Sequence, residues 1–127
     1  MIQIETKDSG TIRIVMSQLN SLQYSNGVLK MNIDGTQRPV MLSQEVYDDL
    51  LLSWKYYYTV ASIPTDEGEL FYKPEMISYL GYKHGVISVT IGGKPLAFRA
   101  TEESYNTMID FFESCFQRTH LMWSDIS

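Results

Sequence analysis

The sequence predicts an α+β protein made of two pseudo-symmetric units, each an antiparallel sheet followed by one helix (a ββββα repeat), packed as one body. Three observations support this fold class. A segment that begins at Gly27 recurs at Gly85, a shift of 58 residues. Each copy places a two-residue turn between runs of alternating apolar residues. Each copy then continues into a stretch with apolar residues at helical spacing. A repeat of this length indicates architecture rather than chemistry.

The repeat divides the chain into a first unit over residues 1–60 and a second over 61–127, within a single compact domain. The copies read GVLKMNIDGTQRPVMLSQEVYDDLLLSWKYYY and GVISVTIGGKPLAFRATEESYNTMIDFFESCF. The same shift relates Tyr47 to Tyr105 and Trp54 to Phe112. A chain of 127 residues is long enough to bury one core of ordinary size.

The first residues predict short strands. Ile2 and Ile4 alternate with polar neighbours, and residues 11–17 alternate again after an Asp-Ser-Gly turn. Residues 19–26 fit no single pattern. Residues 61–69 are interpreted as a linker, and Pro74 interrupts the strand pattern of residues 70–83.

Two β-hairpins are the clearest local prediction. Asp34-Gly35 and Gly92-Gly93 suit the positive φ angles of two-residue turns. Pro39 and Pro95 cannot donate to a ladder, so each second strand is expected at a sheet edge. The turns predict the cross-strand pairs Leu29–Val40 and Met31–Arg38 in one copy, and Val89–Leu96 and Ile87–Phe98 in the other.

Each hairpin is followed by a predicted helix with Ser43 or Thr101 as its N-cap. The apolar stripes are Tyr47, Leu50, Leu51, Trp54, Tyr57 and Tyr58 in the first helix, and Tyr105, Met108, Ile109, Phe112, Cys115 and Phe116 in the second. Cys115 is therefore expected to be a buried, inert thiol. The tail from His120 to Ser127 is expected to dock on the body.

Tandem sheet-then-helix units of this kind resemble the Whirly and Pur-alpha group of single-stranded nucleic-acid-binding proteins. The resemblance rests on GVLKMNI…RPVMLSQEVYDDLL and GVISVTI…KPLAFRATEESYNTMI, about half of the chain. It is a likeness of topology without a diagnostic motif. It implies that the strands would bind an extended strand of DNA or RNA, whereas this chain is acidic.

Net charge is −5, and the acidity is concentrated on the two predicted helices. This balance argues against coating nucleic acid by bulk electrostatics. A single cysteine, the absence of a secretory signal at the N-terminus and the absence of a long apolar run predict a cytoplasmic protein with no membrane partner.

No constellation of residues predicts catalysis. His84 and His120 are the only histidines, and neither has acid–base or metal partners at ligand spacing. The sequence therefore predicts a protein that is not an enzyme and that needs no cofactor or metal.

Two surfaces are candidates for binding. The first is the sheet face opposite the core, with four cations and one aromatic ring as a nucleic-acid face: Arg13, Lys30, Phe71, Lys73 and Arg99. The second is formed by the acidic helices, with Asp48, Asp49, Tyr56 and Glu113 as a protein-partner face. The sequence favours a small regulator or inhibitor that acts by protein–protein contact. The alternative is a single-stranded DNA- or RNA-binding protein that uses the outer sheet face.

Overall fold

The computed structural model describes residues 1–116 and confirms the α+β class. The strands are β1 (Ile2–Glu5), β2 (Thr11–Ile14), β3 (Leu19–Ser25), β4 (Val28–Ile33), β5 (Thr36–Met41), β6 (Ala61–Ile63), β7 (Leu70–Tyr72), β8 (Ile77–Lys83), β9 (Val86–Ile91) and β10 (Lys94–Arg99). The helices are α1 (Gln44–Tyr57) and α2 (Glu102–Cys115), and 3₁₀ turns cover Met16–Gln18 and Pro74–Met76.

The elements repeat in the same order with the 58-residue shift. Strands β3, β4 and β5 and helix α1 recur as β8, β9, β10 and α2 with the same boundaries after the shift. Even an irregularity is repeated, because the register of β3 shifts between Leu19 and Ser21 and that of β8 between Ile77 and Tyr79. The four predicted hairpin pairs are confirmed.

The strands of the described residues form three antiparallel sheets. Strands β1 and β2 form a two-stranded sheet, and β10-β9-β8 form a three-stranded one. The central sheet has five strands in the order β5-β4-β3-β7-β6. It therefore joins three strands of the first unit to a hairpin of the second. The residues that the sequence assigned to a linker include β6, because this strand gains its partner only when the chain folds back on β7.

Strands β5 and β10 lie at sheet edges, as the prolines predicted. Both helices have the predicted caps, since the Ser43 Oγ accepts from Val46 N and the Thr101 Oγ1 accepts from Ser104 N. In α1 the stripe buries Tyr47, Leu50 and Trp54.

The ends of the helices depart from the predicted stripes. Tyr57, Cys115 and Phe116 are exposed, and Met108 is the buried residue of α2. In α1 the exposure of Tyr57 is local, because Trp54 is fully buried and Tyr58 packs against the first core. In α2, Cys115 and Phe116 follow Phe112, the last described residue of the helix that packs against the second core. The expected burial of the Cys115 thiol is therefore wrong. The predicted docking of the tail, His120 included, lies outside the described residues.

Two cores lie on opposite faces of the central sheet. Leu22 and its cross-strand neighbour Phe71 face the first core, which also contains Trp54 of α1. The adjacent β7 residues Leu70 and Tyr72 face the second core with Met108 of α2. Because neighbouring residues of a strand point to opposite faces, strand β7 serves both cores.

The two units are related head to tail rather than by a two-fold axis. A two-fold would pair β3 with β7 and also β8 with β2. Strand β3 does pair with β7, but β2 pairs with β1 alone and β8 with β9 alone in the described part of the chain. The pseudo-symmetry of the two units is therefore not a two-fold, because only one of the two cross-unit pairings forms.

Buried polar contacts join the units. Asn32 Nδ2 donates to the Ile91 carbonyl oxygen at 2.6 Å, and Lys73 N donates to the Asn20 carbonyl oxygen at 3.0 Å. Asn20, Ser21 and Asn32 are all buried. The second unit therefore covers part of the sheet face that the sequence assigned to the outside.

Candidate functional site

The structure separates the five candidate nucleic-acid residues. Arg13 on β2 and Arg99 on β10 are exposed, and Lys30 on β4 is partly exposed. Lys73, by contrast, is only 2% exposed. Its ammonium donates to the Ser17 carbonyl oxygen at 3.1 Å and lies 4.0 Å from the centre of the Tyr58 ring. Lys73 is buried because strand β7 adds to β3, a contact between the units that alternation within one strand does not predict.

Phe71 is also unavailable as a stacking platform. Its ring is half-buried against the first core, and the Lys55 ammonium lies 5.2 Å from the ring centre. A stacking base needs a free ring face. The predicted sheet face is thus not one continuous open surface.

A groove between β2 and the edge strand β5 brings Arg13 together with a second arginine, Arg38. We call it the arginine groove. Its volume is about 810 Å³. Both arginines are exposed, and Asp34 is the carboxylate among the described lining residues. The lining consists of Ser9, Ile12, Arg13, Ile14, Val15, Gln18, Met31, Ile33, Asp34, Thr36, Gln37, Arg38, Pro39 and Val40.

A second groove, the inter-unit groove, lies between the central sheet and β10 and has a volume of about 450 Å³. It contains Lys30 and Arg99, so the structure brings these two predicted residues together. Their charge is offset locally, because Lys30 forms an ion pair with Glu67 at 2.9 Å and Asp66 also lines the groove. Gln37 lines both grooves and connects them.

The positions that line the arginine groove have two environments in the second unit. Adding 58 to Ser9, Ile12, Arg38, Pro39 and Val40 gives Glu67, Leu70, Leu96, Ala97 and Phe98, which line the inter-unit groove. Adding 58 to Arg13 and Ile14 gives Phe71 and Tyr72 of β7, which pairs with the outer edge of β3. In the first unit, the counterpart strand β2 pairs only with β1 in the described part of the chain. Arg13 stands where the second unit has Phe71, and Arg38 stands where it has Leu96. The arginine groove is therefore cationic at two positions that are apolar in the second unit.

The predicted protein-partner residues fall on two helices. Asp48, Asp49 and Tyr56 are exposed on α1, with Tyr56 81% exposed. Leu52 and Tyr57 on the same helix are also exposed. We call these five residues, Asp48, Asp49, Leu52, Tyr56 and Tyr57, the α1 patch. Glu113 is exposed on α2, which packs on the second core. The structure therefore does not bring all four residues onto one helix face.

Sequence reasoning missed Arg38, Gln37 and Gln18. The predicted register placed Arg38 opposite Met31, on the core face of the hairpin, so Arg38 was not counted among the exposed cations. The available signal was the repeat itself, because an arginine aligned with Leu96 marks a position where the two units differ in environment.

Burial changes the acidity of three groups outside the grooves. Burial, together with Asp48 and Glu69, raises the pKa of Tyr47 to about 12. Burial also raises the pKa of Tyr72, with a smaller contribution from Cys115. Burial lowers the pKa of Lys73, and Glu75 partly opposes this shift. All three shifts accompany packing in the cores or between the units.

Within residues 1–116, no three histidine, cysteine or carboxylate side chains are grouped as metal ligands. In the same part of the chain, neither helix has the length and apolar character needed to cross a membrane.

No family model matches this chain, and no curated protein matches its sequence. Among solved structures, the chain is similar to the LytTr DNA-binding domain of a putative methyl-accepting/DNA response regulator from Bacillus cereus. The match covers 90% of this chain and 94% of that one, with 13% identity and a TM-score of 0.47. At these values the likeness assigns neither a family nor a function to the protein.

Proposed function

We propose that this protein binds a single strand of nucleic acid along the arginine groove, without catalysis. The observation that carries the proposal is the presence of two exposed arginines, Arg13 and Arg38, in one groove, at positions where the second unit has Phe71 and Leu96. An apolar pair would suit a second packed sheet, whereas two exposed arginines suit a polyanion. The net charge of −5 is compatible with this, because much of the acidity lies on the helices and not in the groove.

The chemistry of the lining supports contacts to the phosphate backbone. Guanidinium groups bind phosphate oxygens through paired, charge-assisted hydrogen bonds. Gln18 and Gln37 add amide groups that can donate to and accept from base edges. The described lining contains no aromatic ring. We therefore expect backbone contacts to dominate and sequence preference to be weak.

The inter-unit groove offers a continuation of the path. A strand that leaves the arginine groove past Gln37 reaches Arg99 and Lys30. Because Glu67 already pairs with Lys30, we expect this second stretch to contribute less than the first.

Titration of a fluorescent single-stranded oligonucleotide at several salt concentrations tests the proposal. Each phosphate contact adds about 0.7 to the slope of log affinity against log salt for a single strand. Arg13→Ala and Arg38→Ala should each weaken binding and reduce the slope by about that amount. Lys83→Ala is the matched control, because Lys83 is an exposed cation that lines neither groove.

Equal weakening by Lys83→Ala would indicate binding through overall charge and would contradict a specific groove. No detectable binding at low salt would refute the proposal outright.

A second function, contact with another protein, is favoured by the α1 patch. Leu52, Tyr56 and Tyr57 expose large apolar and aromatic surfaces beside Asp48 and Asp49. Tyrosine is enriched at protein interfaces, and acidic residues at a rim speed association with a basic partner. Loss of a partner captured from host lysate by Tyr56→Ala, but not by Arg38→Ala, would support this function.

A further inference from the structure

The outer edge of β8 lacks a strand partner in the described part of the chain. Its counterpart in the first unit, β3, pairs on that edge with β7. The hairpin that would pair with β8 by the same rule is β1–β2, the counterpart of β6–β7. That hairpin belongs to the first unit. Its strand β2 pairs with β1 on one edge, and its outer edge has no strand partner in the described part of the chain.

Exposure follows this difference between the units. Ser21 on β3 is 5% exposed, whereas its counterpart Tyr79 on β8 is 60% exposed. Lys73, which follows β7, is buried, whereas its counterpart Val15, which follows β2, is 54% exposed. Within the chain, β3 contacts β7. The counterparts of these two strands, β8 and β2, each have an exposed outer edge on the same molecule.

We propose that a second copy of this chain docks its β1–β2 hairpin on the outer edge of β8, head to tail. The pairing of β3 with β7 gives the register, because Leu22 lies opposite Phe71. With the 58-residue shift, Leu80 would lie opposite Arg13 of the second copy. The Val15 amide of that copy would donate to the Ser78 carbonyl oxygen, as Lys73 N does to Asn20 O.

The side chains on the two surfaces are complementary in charge. Within the chain, the Lys55 ammonium lies over the Phe71 ring. The 58-residue shift relates Lys55 to Glu113 and Phe71 to Arg13. In the proposed contact, the carboxylate of Glu113 in one copy therefore faces the guanidinium of Arg13 in the next. Both residues are exposed. An ion pair at this point favours the proposed register and disfavours others.

A second contact is complementary in polarity. The Lys73 ammonium lies 4.0 Å from the centre of the Tyr58 ring. The corresponding residues between copies are Val15 and Phe116, which are both apolar and both exposed. This exchange removes a buried charge and leaves an apolar contact. The surface therefore fits a second copy of this chain.

A head-to-tail contact leaves a free edge at each end, so assembly continues beyond a dimer unless it closes into a ring. The contact would also cover part of the arginine groove, because Arg13 and β2 contribute to both surfaces. A second copy and a bound oligonucleotide would then compete for Arg13. The assembly itself does not depend on the proposed nucleic-acid binding.

Disulfide trapping in the full chain tests the register. In a Cys115→Ser background, Arg13→Cys and Leu80→Cys proteins are mixed under mild oxidation. Opposed residues of antiparallel strands lie close enough for a disulfide. The mixture should give a species of doubled mass, and neither protein should do so alone. Gln3→Cys mixed with Leu80→Cys is the matched control, since Gln3 lies opposite Arg13 on the far strand of the hairpin.

Charge reversal at Arg13 and Glu113 gives a second test, and it leaves the buried cores unchanged because both residues are exposed. Sedimentation of the wild-type protein should show a mass that rises with concentration past that of a dimer. Arg13→Glu and Glu113→Lys should each lower that mass, and the double variant should restore it. A protein that stays monomeric and gives no trapped species would overturn the proposal. Cross-linking of either cysteine variant with itself, together with a mass that stops at a dimer, would also overturn it by indicating a two-fold contact.

Discussion

Two tyrosine pairs show how the repeat preserves individual contacts. The rings of Tyr24 and Tyr47 stack at 4.6 Å, and those of Tyr82 and Tyr105 stack at 4.8 Å. The Tyr24 hydroxyl donates to the Leu42 carbonyl oxygen, and the Tyr82 hydroxyl donates to that of Ala100. Each hydrogen bond joins a strand, β3 or β8, to the backbone just before the helix of the same unit, α1 or α2. Equivalent geometry in two sequences with few identical residues indicates that this contact helps to define the unit.

Removal of either hydroxyl should destabilise the protein to a similar degree. We expect Tyr24→Phe and Tyr82→Phe each to lower the free energy of unfolding by about 1 kcal/mol, since each leaves a backbone carbonyl without its donor. Chemical denaturation measures this. Tyr79→Phe is the control, because Tyr79 is exposed, and it should have almost no effect. A loss at only one of the two sites would contradict the equivalence of the units.

The lowered pKa of Lys73 predicts a dependence of stability on pH. The folded protein releases the Lys73 proton at a lower pH than the unfolded chain, whose lysine has a pKa of 10.5. Between these two values the unfolded chain binds more protons, so the stability contributed by this group rises with pH.

The comparison with Lys73→Met isolates this effect. The free energy of unfolding of the wild-type protein, relative to this variant, should increase as the pH rises towards 10.5. Lys83→Met, at an exposed lysine, is the control and should show little change relative to the wild type. A wild-type advantage that falls with increasing pH would mean that the ammonium form is favoured by folding.

At the scale of elements, the two hairpin turns differ for a reason that only the assembled structure shows. The first residue of each turn has positive φ, with 51° at Asp34 and 56° at Gly92. Asp34 is exposed, so a side chain fits there. A Cβ on Gly92 would lie 2.8 Å from the Asn20 Cβ of the first unit and 2.5 Å from its Cγ. Gly92 is thus required by the contact between units as well as by the turn.

Gly92→Ala should therefore cost more than a glycine substitution at a turn with free space. Backbone strain alone costs about 1–2 kcal/mol for a non-glycine residue at positive φ. Gly85→Ala carries that strain with no neighbour within 4 Å, and serves as the control. We expect the loss of unfolding free energy for Gly92→Ala to exceed that of Gly85→Ala by about 1–3 kcal/mol, because of overpacking. Equal losses in a denaturation experiment would show that the contact with Asn20 relaxes freely.

The sequence predicted the elements whose signals are local. Turn dipeptides and alternation determine the hairpin registers, and Ser43 and Thr101 mark the helix starts through their own side chains. The pairing of β3 with β7 joins residues far apart in the chain, and no local pattern encodes it. The burial of Lys73 and the partial covering of Phe71 follow from that pairing. The candidate face was therefore only partly predicted, with Arg13 open and Arg38 overlooked.

At the scale of the whole molecule, the central sheet determines which strand edges are paired and which are open. The second unit places its β6–β7 hairpin in the first unit's sheet, where β7 pairs with β3, whereas β2 pairs only with β1 in the described part of the chain. In the arginine groove, Arg13 and Arg38 stand where the second copy has the apolar residues Phe71 and Leu96. Symmetry explains the architecture of this protein, and departures from symmetry locate its candidate site.

The claim that the arginine groove binds nucleic acid is tested most directly by amide chemical shifts. A single-stranded oligonucleotide is added stepwise to isotope-labelled protein, and the shifted amides are mapped. The largest changes should fall on Arg13, Gln37 and Arg38, with smaller ones at Arg99. No changes at saturating oligonucleotide, or changes confined to the α1 patch at Leu52, Tyr56 and Tyr57, would contradict the claim.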